Sequence, residues 1–237
     1  MSQCLLSVHS FACEANGHAI FLDLKRDRYT TLGPEDLRSL RANVRGWQAT
    51  GPLQNPAEDS EGDRETVDAL LAAKLLTHDA SIGKDAKPVH LDTPTATFLA
   101  PPRPWPRLTA SLVRDFIAAW VVTTLMMRAT PIRVIVKRVQ RRKEQEARRA
   151  RVLDIDAVRQ LMAVHFVLQP VFYEAKDACL RNSLTMIEFL ARHHVYPTLA
   201  FGVKAQPFSA HCWVQEGSTL LSDPIDHVRT FTPIMVI

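Results

Sequence analysis

The sequence predicts an α+β protein built from two modules, and three observations carry that prediction. Residues 19–43 read as strand, charged turn, strand and helix. Residues 83–108 hold six prolines, which a helix interior does not tolerate, and residues 109–237 run through several helical patterns before ending in strands. The composition fits a folded protein, since 46% hydrophobic residues can fill a core and 23% charge is close to the roughly 25% of ordinary soluble domains. The expected organisation is a small hairpin-plus-helices module over 1–82, a proline-rich linker over 83–108 and a larger domain over 109–237.

In "AIFLDLKRDRYTTLGPEDLRSLRAN" (19–43) two strands flank a charged turn, and Pro34 stands near the first turn of the helix, where its missing N–H costs nothing. Leu37 and Leu40 recur at helical spacing. After a polar stretch at 49–63, "RETVDALLAAKLLTHD" (64–79) predicts a second amphipathic helix through Val67, Leu70 and Leu71. Beyond the prolines, helices are expected near 109–127, 133–151 and 154–166. The apolar run "FIAAWVVTTLMM" (116–127) has twelve residues where a spanning helix needs about 20, so it predicts a buried or interfacial helix.

The segment "KRVQRRKEQEARRAR" (137–151) holds eight Lys/Arg against two Glu, an excess larger than the +4 of the whole chain. The basic character is therefore local. It reads first as a solvated helix face, with an acidic peptide, a partner surface or nucleic acid as the alternatives. Four cysteines without a C-x-x-C pair, and an N-terminus without a positively charged signal region, predict reduced thiols in the cytoplasm.

Chemistry concentrates near the C-terminus. In a strand over 208–215, Phe208, Ala210, Cys212 and Val214 fall on one face, and Ser209, His211, Trp213 and Gln215 on the other. Cys212 then points away from His211, as a small buried hydrophobe. If "EGS" (216–218) makes a three-residue turn, His211 lies opposite Asp223 on the same face, with Cβ atoms about 4.5–5.5 Å apart. A carboxylate at that distance can accept the imidazole N–H.

A His–Asp pair orients a base, and a base needs a group to activate. "AKDACLRNSLTMIEFLARHH" (175–194) supplies Cys179 in the first turn of a helix whose apolar face is Leu180, Leu184, Ile187 and Ala191, with Asp177 as its N-cap. The positive helix end favours a thiolate and depresses the thiol pKa from its usual value of about 8.5. The order nucleophile helix, strand 195–203, His strand and Asp strand is that of a papain-like or transglutaminase-like thiol core.

Each member alone has an ordinary structural reading: a buried inert thiol, a satisfied histidine at a sheet edge, a turn-forming aspartate before Pro224. A zinc site from Cys179, Cys212, His211 and His193 lacks paired ligand spacing, so no metal is expected. Neither a G-x-S-x-G elbow nor a P-loop occurs, so no intrinsic cofactor is expected either.

At "CLRNSLTMIEFLARHHVYPTLAFGVKAQPFSAHCWVQEGSTLLSD" the chain resembles the lasso-peptide B proteins, cysteine leader peptidases with a transglutaminase-like core, over about residues 150–237. "FLDLKRDRYTTL" looks like the opening of the small winged-helix-like domain that recognises leader peptides. The resemblance carries the nucleophile to Cys179, the base to His211 and the orienting carboxylate to Asp223. It implies leader contacts at Asp23, Leu24, Tyr29 and Leu32, with the leader added as a strand. Two departures bear on local packing and selectivity: Cys212 stands where a small unreactive residue is usual, and Asn182 interrupts an Arg-Ser pairing.

The implied partners are a precursor peptide and an asparagine-synthetase-like macrolactam synthetase, with no nucleic acid. Any ATP requirement is expected to reside in that synthetase. The rival readings are a transglutaminase-type acyltransferase and a non-catalytic winged-helix protein binding peptide or nucleic acid.

Overall fold

A computed structural model describes residues 3–47, 61–98, 106–147, 155–172 and 179–237. The elements run β1 (Leu5–Ser7), β2 (Ser10–Ala15), β3 (His18–Asp23), β4 (Arg28–Leu32), α1 (Leu37–Asn43), α2 (Glu61–Ala72), β5 (Leu76–Thr77), β6 (Gly83–Lys84) and β7 (Ala96–Thr97). They continue as α3 (Ala110–Ala129), α4 (Ile132–Ala147), α5 (Ile155–Phe172), α6 (Cys179–Arg192), β8 (Thr198–Lys204), β9 (Ser209–Glu216), β10 (Thr219–Leu220), α7 (Ile225–Val228) and β11 (Thr232–Val236). The α+β expectation holds, and the chain packs as two compact units. One comprises Met1–His90, Gly202–Ala210 and Phe231–Met235; the other comprises Leu91–Phe201, His211–Thr230 and Val236–Ile237.

In the first unit β2, β3 and β4 form an antiparallel meander, and β1 pairs with β5 and β6 in a second small sheet. Asn16 and Gly17, both at positive φ, make the two-residue turn that suits a right-twisted hairpin. The β3–β4 turn is tied by Asp23, whose Oδ1 accepts the backbone N–H groups of Lys25 (2.8 Å) and Arg26 (3.2 Å). The core gathers Leu6, Phe21, Leu37, Leu40, Val67, Leu70, Leu75 and Leu76, all below one-tenth exposed.

Two helix boundaries differ from those expected. The helix expected over 64–79 stops at Ala72, because Lys74 takes the left-handed conformation (φ 62°) and the Leu75 N–H turns back to the Leu70 carbonyl at 3.0 Å. That reversal carries both Leu75 and Leu76 into the core, which helical spacing along one face would not have done. Pro34 lies in the turn before α1 rather than in its first turn. Within residues 83–108, read as linker, two short strands form: β6 at Gly83–Lys84, ahead of Pro88, and β7 at Ala96–Thr97, just after Pro94.

The second unit is organised around α6. All eight residues from Ser183 to Leu190 are buried, not only the face marked by Leu184 and Ile187. Phe189 meets Phe116 of α3 edge-on at 5.8 Å between ring centres, and Phe116 in turn meets Phe172 of α5 at 5.5 Å. Phe116, Ala119 and Thr123 are the buried stripe of α3, at helical spacing. Thr109 caps that helix by accepting the Leu112 N–H at 3.3 Å. Ile117, Val121 and Leu125 of α3 are exposed, and by length and composition alone this helix could span a membrane. That exceeds the twelve-residue run seen in the sequence.

The basic segment proves to be only partly a solvated face. Glu188 is buried on α6, and α4 answers it with Arg142 at 2.9 Å and Arg138 at 3.6 Å. Lys143 donates to the Thr198 hydroxyl at 2.6 Å. Residues 148–151 lie outside the described residues. His165 is fully buried between Phe116 and Phe189 with neither ring nitrogen hydrogen-bonded, and burial pulls its pKa down to about 3. Strands β11, β8, β9, β10 and β7, in that order, form a five-stranded sheet in which β7 runs parallel to β10.

Two measurements check these packing arguments. Removing both guanidiniums in an Arg138→Ala/Arg142→Ala variant leaves a buried carboxylate without a counter-charge and should lower unfolding stability by about 3 kcal/mol or more in urea titrations. Glu188→Leu should cost less, because the freed guanidiniums are partly exposed and return to water. The folded His165 refuses a proton that the unfolded chain binds below its ordinary pKa of 6.5, so its contribution to stability is complete above 6.5 and is lost as the pH falls toward about 3. His165→Leu should flatten that acid-side decline.

Candidate active site

The hairpin that carries the site turns one residue more tightly than the sequence suggests. Thr219 pairs with Glu216 and Leu220 with Gln215, so Gly217 (φ 52°) and Ser218 make a two-residue turn rather than a three-residue one. In that register the ladder alone would set Asp223 opposite Cys212, on the wrong face for His211. The ladder stops first. Leu221 donates its N–H to the Val214 carbonyl at 2.8 Å, and the next acceptor for the strand is a side chain, the Ser222 hydroxyl receiving the Val214 N–H at 2.9 Å. The chain bends over 221–223, Thr97 donates to the Asp223 carbonyl at 3.0 Å, and the Asp223 carboxylate turns to His211.

His211 Nε2 and Asp223 Oδ1 are 2.8 Å apart, with both side chains mostly buried. The expected pair therefore forms by a route other than the expected register. Ser222 donates a short hydrogen bond to Asp223 Oδ2, which secures the carboxylate from its other side. His227 on α7 meets the His211 ring edge-on at 4.8 Å between centres.

Cys179 is the first residue of α6 and is exposed. Its proposed cap Asp177 lies outside the described residues. The Cys179 thiol is hydrogen-bonded to the Cys212 thiol and to the His211 ring, and these bonds, with the Cys212 backbone, hold its pKa down to about 4. His211 moves the other way. Burial disfavours its charged form, but hydrogen bonds to Asp223 and Cys179 outweigh burial and raise its pKa to about 9. Because Asp223 takes Nε2, Nδ1 is the ring nitrogen left to the thiol. A thiolate and an imidazolium facing each other constitute a nucleophile with its proton donor already charged.

Cys212 occupies a place the strand alternation did not anticipate. Its side chain does leave the His211 face, yet that direction leads to α6: its Sγ lies 3.8 Å from Ser183 Oγ, and Ser183 donates to the Cys212 carbonyl at 3.3 Å. Ser222, Thr97 and His227 were missed in the sequence because nothing in local periodicity marks a residue that acts from a bend, a distant short strand or a one-turn helix.

Of Cys179, Cys212, His211 and His193, the first three come together. His193 stands at the far end of α6 with its Nε2 3.7 Å from Asp115. His211, Asp223 and His227 bring ligand atoms within 4.8 Å of one another, so a metal there would have to displace the proton shared by His211 and Asp223. In the first unit, Asp23 and Leu24 are buried, and the Asp23 carboxylate is occupied by its own turn and by Arg26 at 3.3 Å. Tyr29 and Leu32 lie half-buried on β4, an edge strand of its sheet, with the Tyr29 ring 5.5 Å from that of Phe208.

A family model described as the transglutaminase-like superfamily matches residues 118–236, a span that contains Cys179, His211 and Asp223. No curated protein and no solved structure matches the chain.

The coupling between thiol and imidazole is open to direct titration. The rate of iodoacetamide alkylation at Cys179, followed by mass spectrometry, should rise through an apparent pKa of about 4. In Asp223→Asn the imidazolium loses its partner, so that midpoint should move upward; an unchanged midpoint would show that Asp223 does not support the charged pair.

Proposed function

Because the chain belongs to the transglutaminase-like superfamily, we propose that Cys179, His211 and Asp223 form the catalytic triad of a cysteine peptidase that removes the leader from a ribosomally made lasso-peptide precursor. The observation that carries the chemistry is the Cys179–His211–Asp223 relay, in which the thiol is held well below its ordinary pKa and the imidazole above its own. The leader assignment rests on the resemblance of residues 150–237 to lasso-peptide B proteins and of "FLDLKRDRYTTL" to leader-recognition domains.

In this reading the Cys179 thiolate attacks the carbonyl carbon at the leader–core junction. The negative charge passes to the carbonyl oxygen, where backbone N–H groups at the start of α6 can receive it. His211, protonated and oriented by Asp223, gives its proton to the departing core amine, and a thioester to the leader remains. The neutral imidazole then takes a proton from water, the resulting attack releases the leader acid, and the thiolate is restored.

The leader is taken up as an added strand along the edge of β4, where Arg28, Thr30 and Thr31 are exposed, and the half-buried Tyr29 and Leu32 supply side-chain contacts. The freed amine passes to an asparagine-synthetase-like macrolactam synthetase, which is also where ATP is used. The cytoplasm, which keeps the thiols reduced, is the compartment this chemistry requires. A binding role for the basic segment in nucleic-acid recognition is weakened by the internal commitments of Arg138, Arg142 and Lys143.

Incubating wild type and Cys179→Ala with the precursor peptide, with and without the synthetase and ATP, and reading product masses tests this function. Free leader acid from wild type alone is the expected result. A leader amide would reassign the chain to acyl transfer, and equal release by both proteins would remove Cys179 from the chemistry.

A further inference from the structure

The thiol of Cys212 plays no part in the reaction described above, yet it is placed against the nucleophile. Cys179 and Ser183 are four residues apart on α6 and so share one helix face, and that face meets Cys212: its Sγ is 3.8 Å from Ser183 Oγ and its thiol is hydrogen-bonded to that of Cys179. Cys179 is exposed and Cys212 is 3% exposed, so an oxidant arriving from solvent reaches the first and not the second. We propose that Cys179 and Cys212 form a reversible disulfide under peroxide stress, with Cys212 as the resolving thiol that protects the nucleophile.

The step balances with hydrogen peroxide as the oxidant. The Cys179 thiolate attacks one peroxide oxygen, the O–O bond breaks, and Cys179 becomes a sulfenic acid while hydroxide leaves and takes the His211 proton as water. The Cys212 sulfur then attacks the Cys179 sulfur, the S–O bond breaks, and the departing hydroxide leaves as water with the Cys212 proton. Two thiols are oxidised and one peroxide is reduced to two waters. While Cys179 is a thiolate, its hydrogen bond and charge hold the Cys212 thiol protonated; conversion to the neutral sulfenic acid removes that restraint at the moment the resolving attack is needed.

The other cysteines do not share this chemistry. The Cys4 thiol is buried with its pKa raised, and burial with the adjacent Glu14 pushes Cys13 up to about 12, so neither offers a thiolate near neutral pH. This inference stands on the placement of two thiols and not on which peptide the enzyme cleaves.

The test uses the full chain, reduced, freed of reductant and exposed to stoichiometric hydrogen peroxide. It is then denatured in N-ethylmaleimide, digested without reductant and analysed by mass spectrometry. The expected product is a Cys179–Cys212 linked peptide lacking two hydrogens, with both thiols recovered after dithiothreitol. In Cys212→Ser the linked peptide should be lost and Cys179 should persist as a sulfenic acid that dimedone traps. Wild-type protein in which Cys179 reaches sulfenic or sulfinic acid while Cys212 remains fully alkylated would overturn the proposal, and that digest decides the matter even if the serine variant does not fold.

Discussion

A carboxylate cannot be buried to the extent of Glu188 without a counter-charge, because desolvation costs several kcal/mol that only a close cation can offset. Glu188 sits in the middle of α6, the helix whose first residue is Cys179, so the demand for a cation dictates where α4 must lie. Arg138 and Arg142 are one turn apart on α4 and reach the same carboxylate, which accounts for part of a basic run that composition alone leaves without a purpose. With α4 on one side and Phe116 of α3 on another, α6 has no solvent-facing stripe between Ser183 and Leu190, and its first turn is presented at a defined position.

That position matters because the three reactive groups come from three unlike pieces of chain: a helix start, the interior of a strand and a bend beyond a hairpin. None of them could be placed by the others through local geometry. Asp223 reaches His211 only because pairing ends at Leu221 and the Ser222 side chain takes over the last strand N–H. The electrostatic outcome is one imidazole shared between two acidic groups, with burial opposing its charge and two hydrogen bonds restoring it. The thiol then finds its cation already in place.

The helices and strands were largely legible from periodicity, and so were the residues of the site. Cys179 was marked by a helix start, His211 by strand alternation and Asp223 by a turn signal, each a local pattern. The hairpin register was not legible, since "EGS" supports turns of two or three residues and the choice depends on what pairs beyond the turn. The end of α2 was missed for a related reason: helical spacing continues past Ala72 in the sequence, but burying Leu75 and Leu76 together requires the reversal at Lys74.

The sequence by itself thus determined the α+β class and singled out a thiol, an imidazole and a carboxylate as candidates, because each of these follows from side-chain chemistry and short-range spacing. Only the tertiary structure decided that a hairpin in the shorter register still delivers Asp223 to His211, that Cys212 faces α6, and that the basic segment is partly spent on a buried glutamate. These are contacts between residues 12, 33 and 46 positions apart, as with His211 and Asp223, Cys179 and Cys212, and Arg142 and Glu188. Whether such pairs meet depends on how whole elements pack, and no local periodicity encodes that.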